Sequence, residues 1–77
     1  MSTADKLKQE KLDMWKKKLL KLQEEYKGIM LRRGEAMAMG DLRENGAFQM
    51  LSEDADTWRA RMAELEKIID TIEKGNN

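Results

Sequence analysis

Gly40-Asp41-Leu42-Arg43-Glu44-Asn45 lies near the middle of a 77-residue chain and separates two long helical patterns that nearly mirror each other. Before it, Leu12, Trp15, Leu19, Leu22, Tyr26 and Ile29 recur by alternating steps of three and four. After it, Phe48, Leu51, Ala55, Trp58, Met62, Leu65, Ile69 and Ile72 do the same. Apolar residues at that step form the seam of a coiled coil. Residues whose numbers sum to 84 pair off: Leu12 with Ile72, Trp15 with Ile69, Leu19 with Leu65, Leu22 with Met62, Tyr26 with Trp58, Ile29 with Ala55. One folding point at residue 42 brings both stripes into register. The sequence therefore predicts an all-α fold, a two-helix antiparallel coiled-coil hairpin whose tip carries two carboxylates.

Working outward, the whole of 1–77 reads as a single domain, with helix 1 from about 4 to 39, a tip at 40–45 and helix 2 from about 42 to 74. Gly40 is placed to end helix 1 as the residue after its cap. Asp41 is a good N-cap, and Glu44 three residues later gives the spacing of a capping box. Ser2 or Thr3 is expected to cap helix 1, with Asp5 in its first turn, and Lys74-Gly75 to close helix 2. Gly28 and Gly34 each weaken helix 1 by about 1 kcal/mol relative to alanine. The seam also fails at Arg33, which falls opposite Leu51, so the third of the hairpin nearest the tip is expected to be its least stable part. Met30, Met37 and Met39 crowd the same region, either filling irregular gaps or offering a methionine-rich contact surface.

Composition narrows the chemistry. The chain has no cysteine, histidine or proline, and 39% of its residues are charged. That excludes disulfides, imidazole bases and His/Cys zinc sites, and it suits long solvated helices. A chain of this size buries little, so its core supplies only a few kcal/mol over chain entropy. No apolar run is long enough for a signal peptide or a membrane span, and the default compartment is the cytosol. Net charge is zero, yet residues 1–33 hold ten Lys/Arg against five Asp/Glu and residues 34–77 hold five against ten. The first reading of this asymmetry is attraction between the helices along the hairpin flanks. A nucleic-acid-facing basic helix around Lys16, Lys17, Lys18 and Lys21 is the alternative, although no aromatics interleave that cluster.

The stretch Glu35-Ala36-Met37-Ala38-Met39-Gly40-Asp41-Leu42-Arg43-Glu44-Asn45-Gly46-Ala47-Phe48 resembles the hairpin tip of the bacterial Gre transcript cleavage factors, which reads approximately EAR-x-x-GDL-x-ENAEY. Glu35, Ala36, Gly40, Asp41, Leu42, Glu44 and Asn45 match, Phe48 stands for the tyrosine, and Glu53 and Arg61 fall at further matching places. The resemblance covers essentially the whole chain and only the amino-terminal half of a full Gre factor. It implies a coiled coil that enters the secondary channel of RNA polymerase. There the tip carboxylates Asp41 and Glu44 help hold a second Mg ion and its attacking water, so that the polymerase cleaves the 3′ end of a backtracked transcript. Such a chain would be no enzyme by itself and would bind no Mg alone. Gly40, Leu42, Asn45 and Phe48 would support the tip; Arg32, Arg33 and Arg43 are the candidates for contact with transcript RNA. Three departures stand out: the carboxyl-terminal domain that docks on the polymerase rim is absent from this sequence, Met37 and Ser52 replace the usual basic residues, and Gly46-Ala47 replaces Ala-Glu. The first leads to an expectation of weakened affinity for polymerase, the second of a weakened grip on RNA.

Two readings of the tip stay open on the residues alone. Asp41 and Glu44 serve either as a capping box, as in any hairpin, or as metal ligands delivered to another protein's active site. A different class of function is an interaction protein, either occupying the channel as an inhibitor or associating with itself. A homodimer through the seam and its apolar neighbours Leu20 and Ile68 would make a four-helix bundle.

Overall fold

The computed structural model describes residues 2–40 and 45–75 and contains two helices, α1 (Thr3–Ala38) and α2 (Gly46–Glu73). They run antiparallel and form a rod with extents of 59 × 17 × 12 Å. The 36 residues of α1 account for that length at a rise of about 1.5 Å each.

The seam is where the periodicity puts it. Leu12, Ile29, Ala36, Ala55 and Ile69 are buried, and Trp15, Leu19, Leu22, Tyr26, Phe48, Leu51, Trp58, Met62, Leu65 and Ile72 are half-buried. Only half-burial is available to most of them, because two helices cover each other along one stripe and leave the flanks in water. The most deeply buried residues are Ile29 and Ala55, 4% and 2% exposed, which the register sets opposite each other. Cross-helix polar contacts keep the same register. Trp58 Nε1 donates to Glu25 Oε1 at 3.3 Å and Arg59 donates to the Tyr26 hydroxyl at 2.9 Å, pairs one step either side of the expected Tyr26–Trp58 match. At the open end, Lys8 Nζ donates to the Glu73 carbonyl at 3.3 Å.

The flank attraction expected from the opposite charges is modest. Among the described residues one ion pair crosses between the helices, Lys16–Glu73 at 3.4 Å, with both side chains about half exposed. Pairs of that kind are worth about 0–1 kcal/mol. Lys27–Glu24, Arg59–Asp56 and Lys74–Asp70 lie within single helices. Burial along the seam, helped by neutral and charge-assisted hydrogen bonds, holds the rod together. Leu20 stays 57% exposed on the outside and Ile68 is half-buried at the edge.

Two helix ends follow the sequence closely, and a third does so in position only. Ser2 caps α1, its hydroxyl oxygen accepting from the Asp5 N–H at 3.2 Å while donating to the Asp5 carboxylate at 2.9 Å. Gly75 follows the Lys74 cap of α2 with φ +70°, the left-handed conformation that glycine adopts without a Cβ penalty, and its N–H reaches the Ile72 carbonyl. α1 ends at a Met39 cap whose N–H bonds the Ala36 carbonyl, so the last turn tightens to an i→i+3 bond. Gly40 follows it without a positive φ, so this end has no left-handed cap.

At the fourth end the described part of α2 starts at Gly46 with Asn45 as its cap, whereas the sequence places the helix start near residue 42 with Asp41 as the cap. Asp41, Leu42, Arg43 and Glu44 lie outside the described residues.

Candidate functional site: the neck of the hairpin

The end of the rod that carries the Gre-like tip is built from Ala36, Met39, Asn45, Phe48, Arg33 and Ser52. A helix C-terminus leaves carbonyls without intrahelical partners and a helix N-terminus leaves N–H groups in the same state. Among the described residues α1 has no basic residue in its last turn and α2 has no acidic residue in its first. One neutral amide serves both. Asn45 Oδ1 accepts from the Phe48 N–H at 3.0 Å, and Asn45 Nδ2 donates to the Ala36 carbonyl at 2.6 Å. The Ala36 oxygen thus takes two bonds, one from Met39 N–H along its own chain and one across the turn.

The chemistry suits Asn45 to this double role. Aspartate and asparagine accept equally well at an N-cap. A carboxylate has no N–H to give, whereas the asparagine amide has two. The residue that can reach across to the carbonyl of Ala36 while capping α2 is the one that starts the helix.

Arg33, expected as a fault in the seam, fills its place. Its Nε donates to Ser52 Oγ at 2.8 Å, and its guanidinium lies 4.5 Å over the Phe48 ring. The planar guanidinium stacks on the aromatic face while its edge hydrogen-bonds, a combination a lysine does not reproduce. Arg33, Ser52 and Phe48 are all half-buried, so the contact is shielded on one side.

Of the residues expected to carry function, the structure brings together Asn45, Phe48 and Arg33. Gly40 is exposed, with open space where a Cβ would stand. Arg33 engages Ser52 through its Nε and Phe48 through its guanidinium. Arg32 is exposed and borders a shallow groove with Glu24, Glu25, Gly28, Ile29, Asp54 and Trp58. Asp41, Leu42, Arg43 and Glu44 fall outside the described residues. Reading by pattern missed the Asn45 clamp and the Arg33–Ser52 bond, because both join residues that are far apart in sequence. An asparagine directly before glycine at the foot of the second stripe was the available signal for the first.

Electrostatics along the shaft are unremarkable for a solvated hairpin. Arg59 is held above its ordinary pKa, first by its hydrogen bond to Tyr26 and next by its charge interaction with Tyr26, with desolvation opposing and Asp56 adding to the rise. It stays charged at any working pH and supplies no switch. Among the described residues no helix is long and apolar enough to cross a membrane.

Fold and neck together define a class: a slender antiparallel coiled-coil hairpin, closed at one end by a cross-helix clamp. Over residues 5–73 the chain matches the GreA/GreB amino-terminal family, described as "Transcription elongation factor, N-terminal", and it belongs to that family. It is a Gre-like transcription elongation factor domain. No curated protein and no solved structure matches the chain significantly.

Proposed function

We propose that this domain acts as a delivery arm: it enters the secondary channel of RNA polymerase and brings Asp41 and Glu44 to the polymerase's catalytic centre, where they promote cleavage of backtracked transcripts. The observation that supports this reading is the shape of the described residues, a slender rod with extents of 59 × 17 × 12 Å in which α1 ends and α2 begins at the same extremity. A body that thin has no room for an active site of its own. It is suited to reach one inside another protein.

The donor chemistry of the tip is compatible with a shared Mg ion. Among the described residues no group of three or more His, Cys, Asp or Glu could hold a metal. Magnesium, however, is commonly held by one or two carboxylates together with phosphate oxygens and water. Asp41 and Glu44 fit that partial role, with the remaining ligands supplied by polymerase and transcript. The ion, when bound, would stabilise the attacking and leaving oxygens of phosphodiester cleavage. This chain's own part is to carry two charged oxygens on a stiff arm, and on this reading the domain is not itself an enzyme. Arg32, Arg33 and Arg43 are the arginines proposed to meet the transcript.

The capping role of Asn45 sharpens the test. Because α2 is capped without Asp41, replacing Asp41 with asparagine should leave melting within about 0.5 kcal/mol of the parent chain. Asp41→Asn and Glu44→Gln should abolish stimulated cleavage by purified polymerase, since a neutral amide is a poor magnesium ligand. Equal stimulation by parent and Asp41→Asn would refute the metal role. A parent chain that competes for the channel without stimulating cleavage would instead be an inhibitor. One that never binds polymerase would leave self-association as the remaining reading.

A further inference from the structure

We propose that Asn45 is a positioning residue: its side-chain amide sets where the chain leaves α1 and enters α2, and so governs how the carboxylates of the intervening stretch are presented. This rests on the reading of Asp41 and Glu44 given above.

The geometry singles out the asparagine amide. Capping α2 needs only an acceptor, and aspartate, serine or threonine would supply one. The second bond, Nδ2 to the Ala36 carbonyl at 2.6 Å, needs a donor on the same short stem. Serine's hydroxyl stops one atom short of that reach while capping, and aspartate has no donor. Both anchor points are firm. Ala36 is a buried seam residue, 8% exposed, so the clamp grips packed helix rather than a fraying turn. Phe48, whose N–H the amide caps, lies beneath Arg33, which is tied in turn to Ser52. Asn45 thus bridges the last secured carbonyl of α1 and the first turn of α2. It does so without adding charge beside the carboxylates. A cap would stabilise the start of α2; a bridge of this kind also fixes the separation of the two helix ends. Where a group must meet a reacting centre, a displacement of about 1 Å costs about 10²-fold in rate.

The test has one arm without polymerase and one with it. In NMR spectra of the full chain, the Asn45 side-chain amide should exchange with solvent much more slowly than that of exposed Gln23. Asn45→Asp keeps the cap and removes the cross-helix donor. It should bind polymerase as the parent does, yet lower the maximal stimulated cleavage rate at saturating chain by between about tenfold and 10²-fold. It should also raise the Mg concentration needed for half-maximal stimulation. Asn45→Ser, which caps without bridging and adds no charge, should show the same loss and serves if the aspartate variant melts below the assay temperature. Equal exchange of the two amides would overturn the clamp. Unchanged maximal rate and Mg requirement in either folded variant would overturn positioning, as would a loss that higher chain concentration fully restores. A parent chain that gives no stimulation would count against the metal reading instead, and the exchange measurement would still decide whether the clamp exists.

Discussion

Ile29 and Leu31 stand two residues apart on α1, and the hairpin predicts that truncating them has very different consequences. Ile29 is 4% exposed and packs in the layer with Ala55; Leu31 is 67% exposed on the outer face. Ile29→Ala removes three carbon atoms from a buried site, and at about 0.8 kcal/mol per buried CH2 that is about 2.4 kcal/mol of transfer free energy. Alanine returns less than about 0.7 kcal/mol through its higher helix propensity. Residual space at the layer adds little, because the open flanks of a two-helix seam admit water. The net expectation is a destabilisation of about 2 kcal/mol, a large part of the total available to a domain of this size. Leu31→Ala removes as many carbons from a side chain already in water and should stay within about 0.5 kcal/mol. Urea unfolding followed by far-UV circular dichroism reads both directly, provided the slope with denaturant is unchanged. Equal shifts in the two variants would refute the register, since hydrophobicity without burial treats them alike.

Other consequences concern the glycines and the open end. Gly34→Ala places its Cβ in open space, and Gly28→Ala meets only the far end of Arg32 at 4.0 Å, so each should raise stability by about 0.5–1 kcal/mol in the same unfolding assay. Gly75→Ala should act in the opposite sense and lower the melting temperature, because φ +70° costs a residue with a Cβ about 1–2 kcal/mol. A gain in stability from Gly75→Ala would show that the left-handed cap at the end of α2 does not form in solution.

Much of this architecture is local and was therefore legible in advance. A coiled-coil seam is written as a step of three and four, and a step is visible without a partner. That is why every seam position from Leu12 to Ile72 is buried or half-buried, and why one folding point at residue 42 sufficed for the register. The Ser2 cap and the Gly75 stop are also local, since each depends on a residue's own bonding or backbone freedom within one turn. The family followed from the same kind of signal, a contiguous run around Gly40-Asp41-Leu42 and Glu44-Asn45.

The start of α2 was not decided by anything local. Asp41 and Asn45 are equivalent as caps to a reader who sees only their acceptor oxygens, and Glu44 favoured the first. What separates them is a donor, which matters only once the Ala36 carbonyl stands across the turn, nine residues away. The same holds for Arg33. In sequence it is a charge where the seam needs an apolar residue; in the folded hairpin Phe48 and Ser52 give it a stacking face and an acceptor. Periodicity and capping chemistry determined two helices and their pairing, because hydrophobic stripes and turn residues act over one or two turns. Which side chains close the neck was determined only by tertiary structure, because a hydrogen bond between two helices exists only when packing has brought donor and acceptor within about 3 Å.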